Sequence, residues 1–272
     1  MPDSFSPSIQ AASAIDAASA PEIPVPACVI SAMPEEMAPF HAKLLAAGYT
    51  AQAIASPAAT ISLFSRDAEP ADPGEPHPNH VLTAVTGIGF AATASSLGWL
   101  LAHFAPAALI SIGSAGGLGH DAAVREVVLG LSYRNGGADG TAFGYVRGQV
   151  PGQPEYFSAD PALLAAATVA ALDALELNDV AVRPGDMISS DTFVTEATVG
   201  DMREAFPSAV TADMESYAAA HVAHQWGIPF LSMRAISDLC APPEEEATQF
   251  HAELAEVAEL SARTAWATLR QL

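Results

Sequence analysis

From residue 27 to residue 272, short apolar runs take turns with segments of helical periodicity, and this alternation constrains the fold more than any other feature. ACVISAM (27–33), ATISLF (59–64), VLTAVT (81–86), ALISIG (108–113), VVLGLS (127–132), DMISSD (186–191), AVTADM (209–214) and PFLSMRAIS (229–237) read as strands. After Pro34, Glu35 and Glu36 a helix is expected to about Ala47, with further helices up to His103 and over 160–174, 198–205, 214–226 and 246–270. The last carries Phe250, Leu254, Val257 and Leu260 at helical spacing. Strands alternating with helices predict one α/β domain over 25–272, with a mixed, largely parallel sheet flanked by helices. ALISIG is expected to close in a turn, SAGGLG (114–119), and the Gly- and aromatic-rich stretch 134–157 to form an active loop. Half the residues are hydrophobic and 15% are charged, which suits a large core and excludes a mainly disordered chain.

Two segments fall outside this pattern. Residues 65–80 hold four prolines and one glycine and read as a surface loop or hairpin tip. Residues 1–24 are rich in Ala, Ser and Pro, have no Lys or Arg, and contain no apolar core segment. They suit neither a secretory signal nor a transit peptide, so a disordered tail on a cytoplasmic protein is expected. No uninterrupted apolar run approaches the ~20 residues of a membrane helix.

Charge removes further classes. There are 31 acidic and 10 basic residues, a net charge of −21, and Lys43 is the only lysine. A nucleic-acid binder needs a basic stripe, and anionic membranes would repel such a surface. The acidity reads as a well-solvated surface. Two cysteines, Cys28 and Cys240, are too few for a disulfide scaffold and read as small buried hydrophobes. The eight histidines form no metal-ligand triad; His221 and His224 read as a helix surface or core pair. No metal or organic cofactor is implied.

In open α/β sheets, ligands bind beyond the carboxyl ends of strands. Four such ends carry polar groups: Glu35–Glu36, Thr86–Gly89, Glu215 and Ser237–Asp238. Carboxylates at the rim of a core are partly desolvated, and two tuned apart supply an acid and a base. Each also has a plainer reading. Glu36 and Glu215 could sit in first helical turns, and Asp238 could cap a turn. Gly87-Ile88-Gly89 is a weak signal, and GSAGG (113–117) lacks the GxxxxGK[ST] of a phosphate loop. The residues alone support an α/β enzyme with a carboxylate-lined pocket.

The segments in combination go further. AMPEEM (32–37), TGIG (86–89), SIGSAGGL (111–118), ADGTAFGY (138–145), GQVPG (148–152), SSDTFV (189–194), ADMES (212–216) and MRAISD (233–238) occur in order. Through them residues 26–272 resemble the 5′-methylthioadenosine/S-adenosylhomocysteine nucleosidases, of the nucleoside phosphorylase superfamily. The resemblance implies hydrolysis of the N-glycosidic bond of an adenine nucleoside with a 5′-thioether, giving adenine and a 5-thioribose, through an oxocarbenium-like transition state. Such a reaction needs a proton donor for the base and an activator for water.

The resemblance assigns Asp238 as the acid at purine N7, held by Ser237, and Glu36 as the carboxylate that activates water. Arg234 falls near the water and the acidic cluster, with an internal ion pair as its plainer reading. Glu215 would accept hydrogen bonds from the ribose hydroxyls and Met214 would pack on the sugar. Thr86 and Gly87 fall among the substrate-binding positions. Phe193 would stack on adenine, the Val194 backbone would read its edge, Met33 would line the pocket and Phe250 would cover the 5′ side. For Met33 and Phe250 a core position is the alternative. Phe143, Tyr145 and Pro151 match a loop that reaches into the 5′ pocket of a partner protomer, which implies a homodimer. Small-molecule adenine nucleosides are then the ligands.

Phosphorylases of the superfamily bind phosphate with arginines; Ser111 occupies one such position here, and a glutamate in AMPEEM would repel phosphate. The alternatives are a purine nucleoside phosphorylase or a catalytically inactive nucleoside-binding protein. The chain departs from the family pattern at Pro34, Asp213, Gly140 and residues 134–137, which leaves the 5′ substituent open among methylthio, homocysteinyl, deoxy and aminofutalosine-type groups.

Overall fold

The structure, a computed structural model, describes residues 15–16, 25–66, 78–175, 180–240 and 243–272. Its strands are β1 (Ile15–Asp16), β2 (Ala27–Ser31), β3 (Thr50–Ala55), β4 (Thr60–Ser65), β5 (His80–Val85), β6 (Leu109–Gly117), β7 (Val127–Asn135), β8 (Phe157–Ser158), β9 (Val182–Ser189), β10 (Ala209–Asp213) and β11 (Phe230–Asp238). Its helices are α1 (Pro34–Ala46), α2 (Phe90–His103), α3 (Pro161–Leu175), α4 (Glu196–Ala205), α5 (Ser216–Trp226) and α6 (Pro243–Leu269).

One sheet holds all the strands in the order β1-β3-β4-β5-β2-β6-β10-β9-β7-β11, with β8 on β7. Because β11 also pairs with β6, the second half closes into a ring of five strands. Six pairings are parallel and five antiparallel. The single α/β domain with a mixed sheet is therefore as expected. α6 packs on β6 and β11 and against α1 and α3, while α2 pairs with α5. Every residue of β2 is buried, which is why its sequence is a continuous apolar run rather than an alternation. No helix among the described residues is long and apolar enough to cross a membrane.

Several boundaries differ from those expected. Thr50–Ala55 is a strand that its sequence, TAQAIA, does not announce; it lies toward the sheet edge, where small and polar residues suffice. Ile15–Asp16, inside the expected tail, pairs in parallel with Ile54–Ala55 on that strand's open side. The rest of 1–24 lies outside the described residues, as do 67–77 of the Pro-rich segment, which joins the antiparallel pair β4–β5.

The most consequential difference is at Ser114–Gly117. This stretch is not a turn but the end of β6, paired on one side with β11 and on the other with β10. Its small residues permit the approach. A Cβ on Gly117 would meet Leu239 at 2.8 Å, and one on Gly116 would meet Cys240 Sγ at 3.0 Å. The register of β11 on β6 shifts between Ile236 and Asp238, so Ser237 is accommodated in a bulge and Asp238 faces Gly116.

Candidate active site

A cavity of about 210 Å³ opens where β2, β6, β10 and β11 end. Glu36, Glu215 and Asp238 all line it, together with Asp213 and Ser114. The connection after β9 contributes Phe193 and Val194, α6 contributes Phe250, and the segment before α2 contributes Ile88.

Glu36 is the third residue of α1 and is 2% exposed. Its Oε2 accepts from the backbone N–H of Met33 (3.1 Å) and Ala32 (3.2 Å), the reach-back of a helix-capping glutamate. Its Oε1 accepts from the N–H and the hydroxyl of Ser114, both at 2.9 Å. Four donors fill the roughly four acceptor sites of a carboxylate. Three are fixed backbone amides, and only the Ser114 hydroxyl can rotate away.

Behind this wall lies an ion-pair cluster. Arg234, on β11, is 1% exposed and pairs with Asp213 (3.1 Å) and Glu215 (3.5 Å). Its remaining N–H groups donate to Ser111 Oγ, Ser216 Oγ and the Ile112 carbonyl. Burial alone would disfavour the guanidinium, but Asp213, Glu215 and Glu36 outweigh it and hold its pKa above the ordinary value. Asp213 accepts from the hydroxyl of Ser189 (2.6 Å), the hydroxyl of Ser216 and the backbone N–H of Glu215 and Ser216. Glu215, at the start of α5, accepts the Gly89 N–H (2.9 Å). Burial pushes the Glu215 carboxyl up to about 7; Arg234 pulls it down, and Asp213 and Glu36 add to the rise.

Asp238 is 1% exposed, with Oδ1 accepting the Cys240 N–H (3.1 Å) and Oδ2 facing the Ser237 hydroxyl (2.8 Å). The same hydroxyl lies 3.3 Å from the Ala115 carbonyl. Ser237 has one proton. Given to Asp238, it serves a carboxylate; given to Ala115, it leaves a lone pair for a protonated Asp238. One rotation thus supports both states of an acid.

The remaining expected residues divide. Met33, Phe193, Val194, Met214, Glu215, Phe250, Ser237, Asp238 and Glu36 line one cavity. Phe193 and Phe250 meet edge to face, centroids 6.4 Å apart, as its outer rim. Thr86 and Gly87 do not line it. The Thr86 hydroxyl and amide turn to the Ser31 carbonyl, and the Gly87 amide to Ala32, so both pin β5 to β2. Arg234 does not line it either and acts from behind. Phe143, Tyr145 and Pro151 stand apart from the cavity within this chain; Phe143 is 83% exposed. Sequence reasoning missed Ser114 and Ile88 as lining residues, although both lie in quoted motifs, and it took Cys240 only as a buried hydrophobe. Cys240 is buried, yet it borders the cavity with a left-handed φ of 55°. The plainer readings of Glu36 and Glu215 also hold: each sits at a helix start and in the cavity at once.

Fold and site together define an α/β enzyme of the acid–base kind, with buried carboxylates gathered at strand ends. The phosphorylase superfamily family model matches residues 26–270, and the chain belongs to that superfamily, in its nucleosidase branch of N-glycosidic hydrolases. It is similar to the 5′-methylthioadenosine/S-adenosylhomocysteine nucleosidase of Neisseria meningitidis, solved with methylthio-immucillin-A: 31% identity, TM-score 0.78, covering 90% of this chain and 99% of that one. It is similar to the corresponding nucleosidase of Colwellia psychrerythraea, solved with adenine: 28% identity, TM-score 0.80, covering 92% and 96%. The futalosine hydrolase of Helicobacter pylori shares the fold at 21% identity and TM-score 0.78, covering 90% and 97%.

Proposed function

We propose that this enzyme hydrolyses 5′-methylthioadenosine and S-adenosylhomocysteine to adenine and the 5-thioribose. The observation that carries the reading is the pairing of Glu36 and Asp238 in one cavity that is free, among the described residues lining it, of any Arg, Lys or His. Asp213 and Glu215 are paired with Arg234, which leaves no cation in the lining to receive phosphate and leaves Glu36 to favour a substrate on which positive charge develops. That supports water, not phosphate, as the nucleophile.

In this mechanism Asp238 gives its proton to purine N7, so the electron pair of the breaking C1′–N9 bond leaves on a neutral base. Ser237 rotates with the change. Positive charge grows on the ribose, between Glu36 and Glu215. The Ser114 hydroxyl swings off Glu36, a water takes its place, and Glu36 accepts the water proton as oxygen bonds to C1′. Glu215, ionised, accepts from the ribose hydroxyls, with Met214 against the sugar. Phe193 stacks on adenine, the Val194 backbone reads its edge, Met33 lines the sugar side and Phe250 covers the 5′ end. Arg234 holds Asp213 and Glu215 in place. In a cytoplasmic homodimer, Phe143, Tyr145 and Pro151 of each protomer complete the partner's 5′ pocket. Residues 25–272 form the catalytic domain, to whose sheet Ile15–Asp16 add a short edge strand.

Adenine release from methylthioadenosine, S-adenosylhomocysteine, 5′-deoxyadenosine and aminofutalosine, each followed with and without phosphate, tests the proposal. The two thioethers are expected to lead the ranking at rates indifferent to phosphate. Preference for a substrate without a 5′-thioether would overturn the substrate assignment.

A further inference from the structure

Asp191 lies in the SSDTFV motif, yet the mechanism above gives it no role. It is exposed and does not line the cavity. Its Oδ1 accepts the backbone N–H of Phe90 at 2.7 Å, across a separation of 101 residues. Phe90 is the first residue of α2, whose N-cap is Gly89 and whose first turn contains no acidic residue. The helix therefore lacks a side-chain cap of its own and takes one from another segment, where a carboxylate meets both the open amides and the helix dipole. The neighbouring Gly89 N–H goes to Glu215. Two adjacent amides thus hold two carboxylates, one on the proposed ribose side and one on the purine side. The approach demands glycine: at Gly89, with φ +91°, a Cβ would stand 2.7 Å from Asp191 Oδ1.

The tether joins two parts of the cavity wall. Ile88 lies two residues before Phe90, and Thr192, Phe193 and Val194 follow Asp191 directly; all four line the cavity. The connection is otherwise held by the Ser190 N–H on the Asp213 carbonyl and by the turn from Ser190 Oγ to Thr192. Neither bond reaches α2.

We propose that Asp191 is a positioning residue that fixes the Phe193–Val194 wall against the start of α2 and so sets substrate affinity without taking part in bond cleavage. The proposal rests on the nucleoside reading of the cavity. It is tested with D191A and D191N in the full chain, by steady-state kinetics on methylthioadenosine and by amide hydrogen exchange without substrate. D191A is expected to raise KM about tenfold, the scale of a lost capping bond, and to leave kcat within about threefold. Exchange should quicken at residues 190–194 and in the first turn of α2. D191N keeps the acceptor and should recover both readouts to within about threefold of wild type. Should D191A fail to fold, D191L, which keeps the branched shape without an acceptor, takes its place. Unchanged KM and exchange in D191A, a fall in kcat alone, or no recovery in D191N would each overturn the proposal. A wild-type enzyme that leaves methylthioadenosine intact would instead sink the nucleoside reading, and the exchange result would still decide the tether.

Discussion

Glu36 binds four donors at once, and Asp238 shares one movable proton with Ser237; both arrangements hold a carboxylate rigidly while leaving one hydroxyl free to turn. Asp238→Asn, whose NH2 can face the rotatable Ser237 hydroxyl, should fold with a near-wild-type thermal transition, whereas Glu36→Gln sets its NH2 against a fixed backbone N–H and should be less stable; both should lose at least about 100-fold in kcat, a typical acid–base contribution. Wild-type rates in either would remove that residue from the chemistry. Glu215 supplies a pH signature. With its carboxyl raised to about 7, it is protonated below that pH and loses its acceptor charge, so kcat/KM should fall on the acid side with a midpoint near 7. Glu215→Gln should abolish that limb at a much reduced rate. The stability sign is opposite to that of a carboxylate whose pKa is depressed, because burial outweighs the pairing with Arg234. The folded pKa exceeds the ordinary 4.5, so the protonated form stabilises the fold below about 4.5 and this contribution is lost as pH rises through about 7. A urea series from pH 5 to pH 8, wild type against Glu215→Gln, reads it.

Among the elements, β6 matters most, because it belongs to the open half of the sheet and to the closed ring. At Gly113, with φ +151°, a Cβ would lie 2.5 Å from Arg234 Nη1 and 2.6 Å from Glu36 Oε1. Gly113→Ala should displace the guanidinium, the carboxylate or both, costing about 1–3 kcal/mol and most of the activity. Chemical denaturation and turnover of the same preparation would show it; an intact, fully active Gly113→Ala would refute the close packing. The strand ends bearing Glu36, Glu215 and Asp238 were legible because each follows a long apolar run. The extension of β6 through Ser114–Gly117 was not, because Ser, Ala and Gly read as a turn when the two neighbouring strands that bury them are out of view. For the same reason TAQAIA did not read as a strand. The Thr86 hydroxyl and amide and the Gly87 amide join the end of β5 to β2, a structural part that their motif did not announce.

For the whole molecule, 31 acidic residues against 10 basic ones repel one another across the surface, while the site concentrates its own negative charge inside. Salt screens the first more than the second, since the Debye length falls from about 30 Å at 0.01 M to about 3 Å at 1 M. Thermal stability is therefore expected to rise by several degrees between low and molar salt. A flat or falling transition temperature would mean that the surface charges are already well separated. The excess acidity also bears on the choice of nucleophile, because an anionic cavity in an anionic protein has little use for phosphate. The most direct measurement is the identity of the sugar released when the enzyme cleaves methylthioadenosine in phosphate buffer. Free 5-methylthioribose, formed at the same rate without phosphate, is the expected product. A sugar 1-phosphate would contradict hydrolysis and return the chain to the phosphorolytic side of its superfamily.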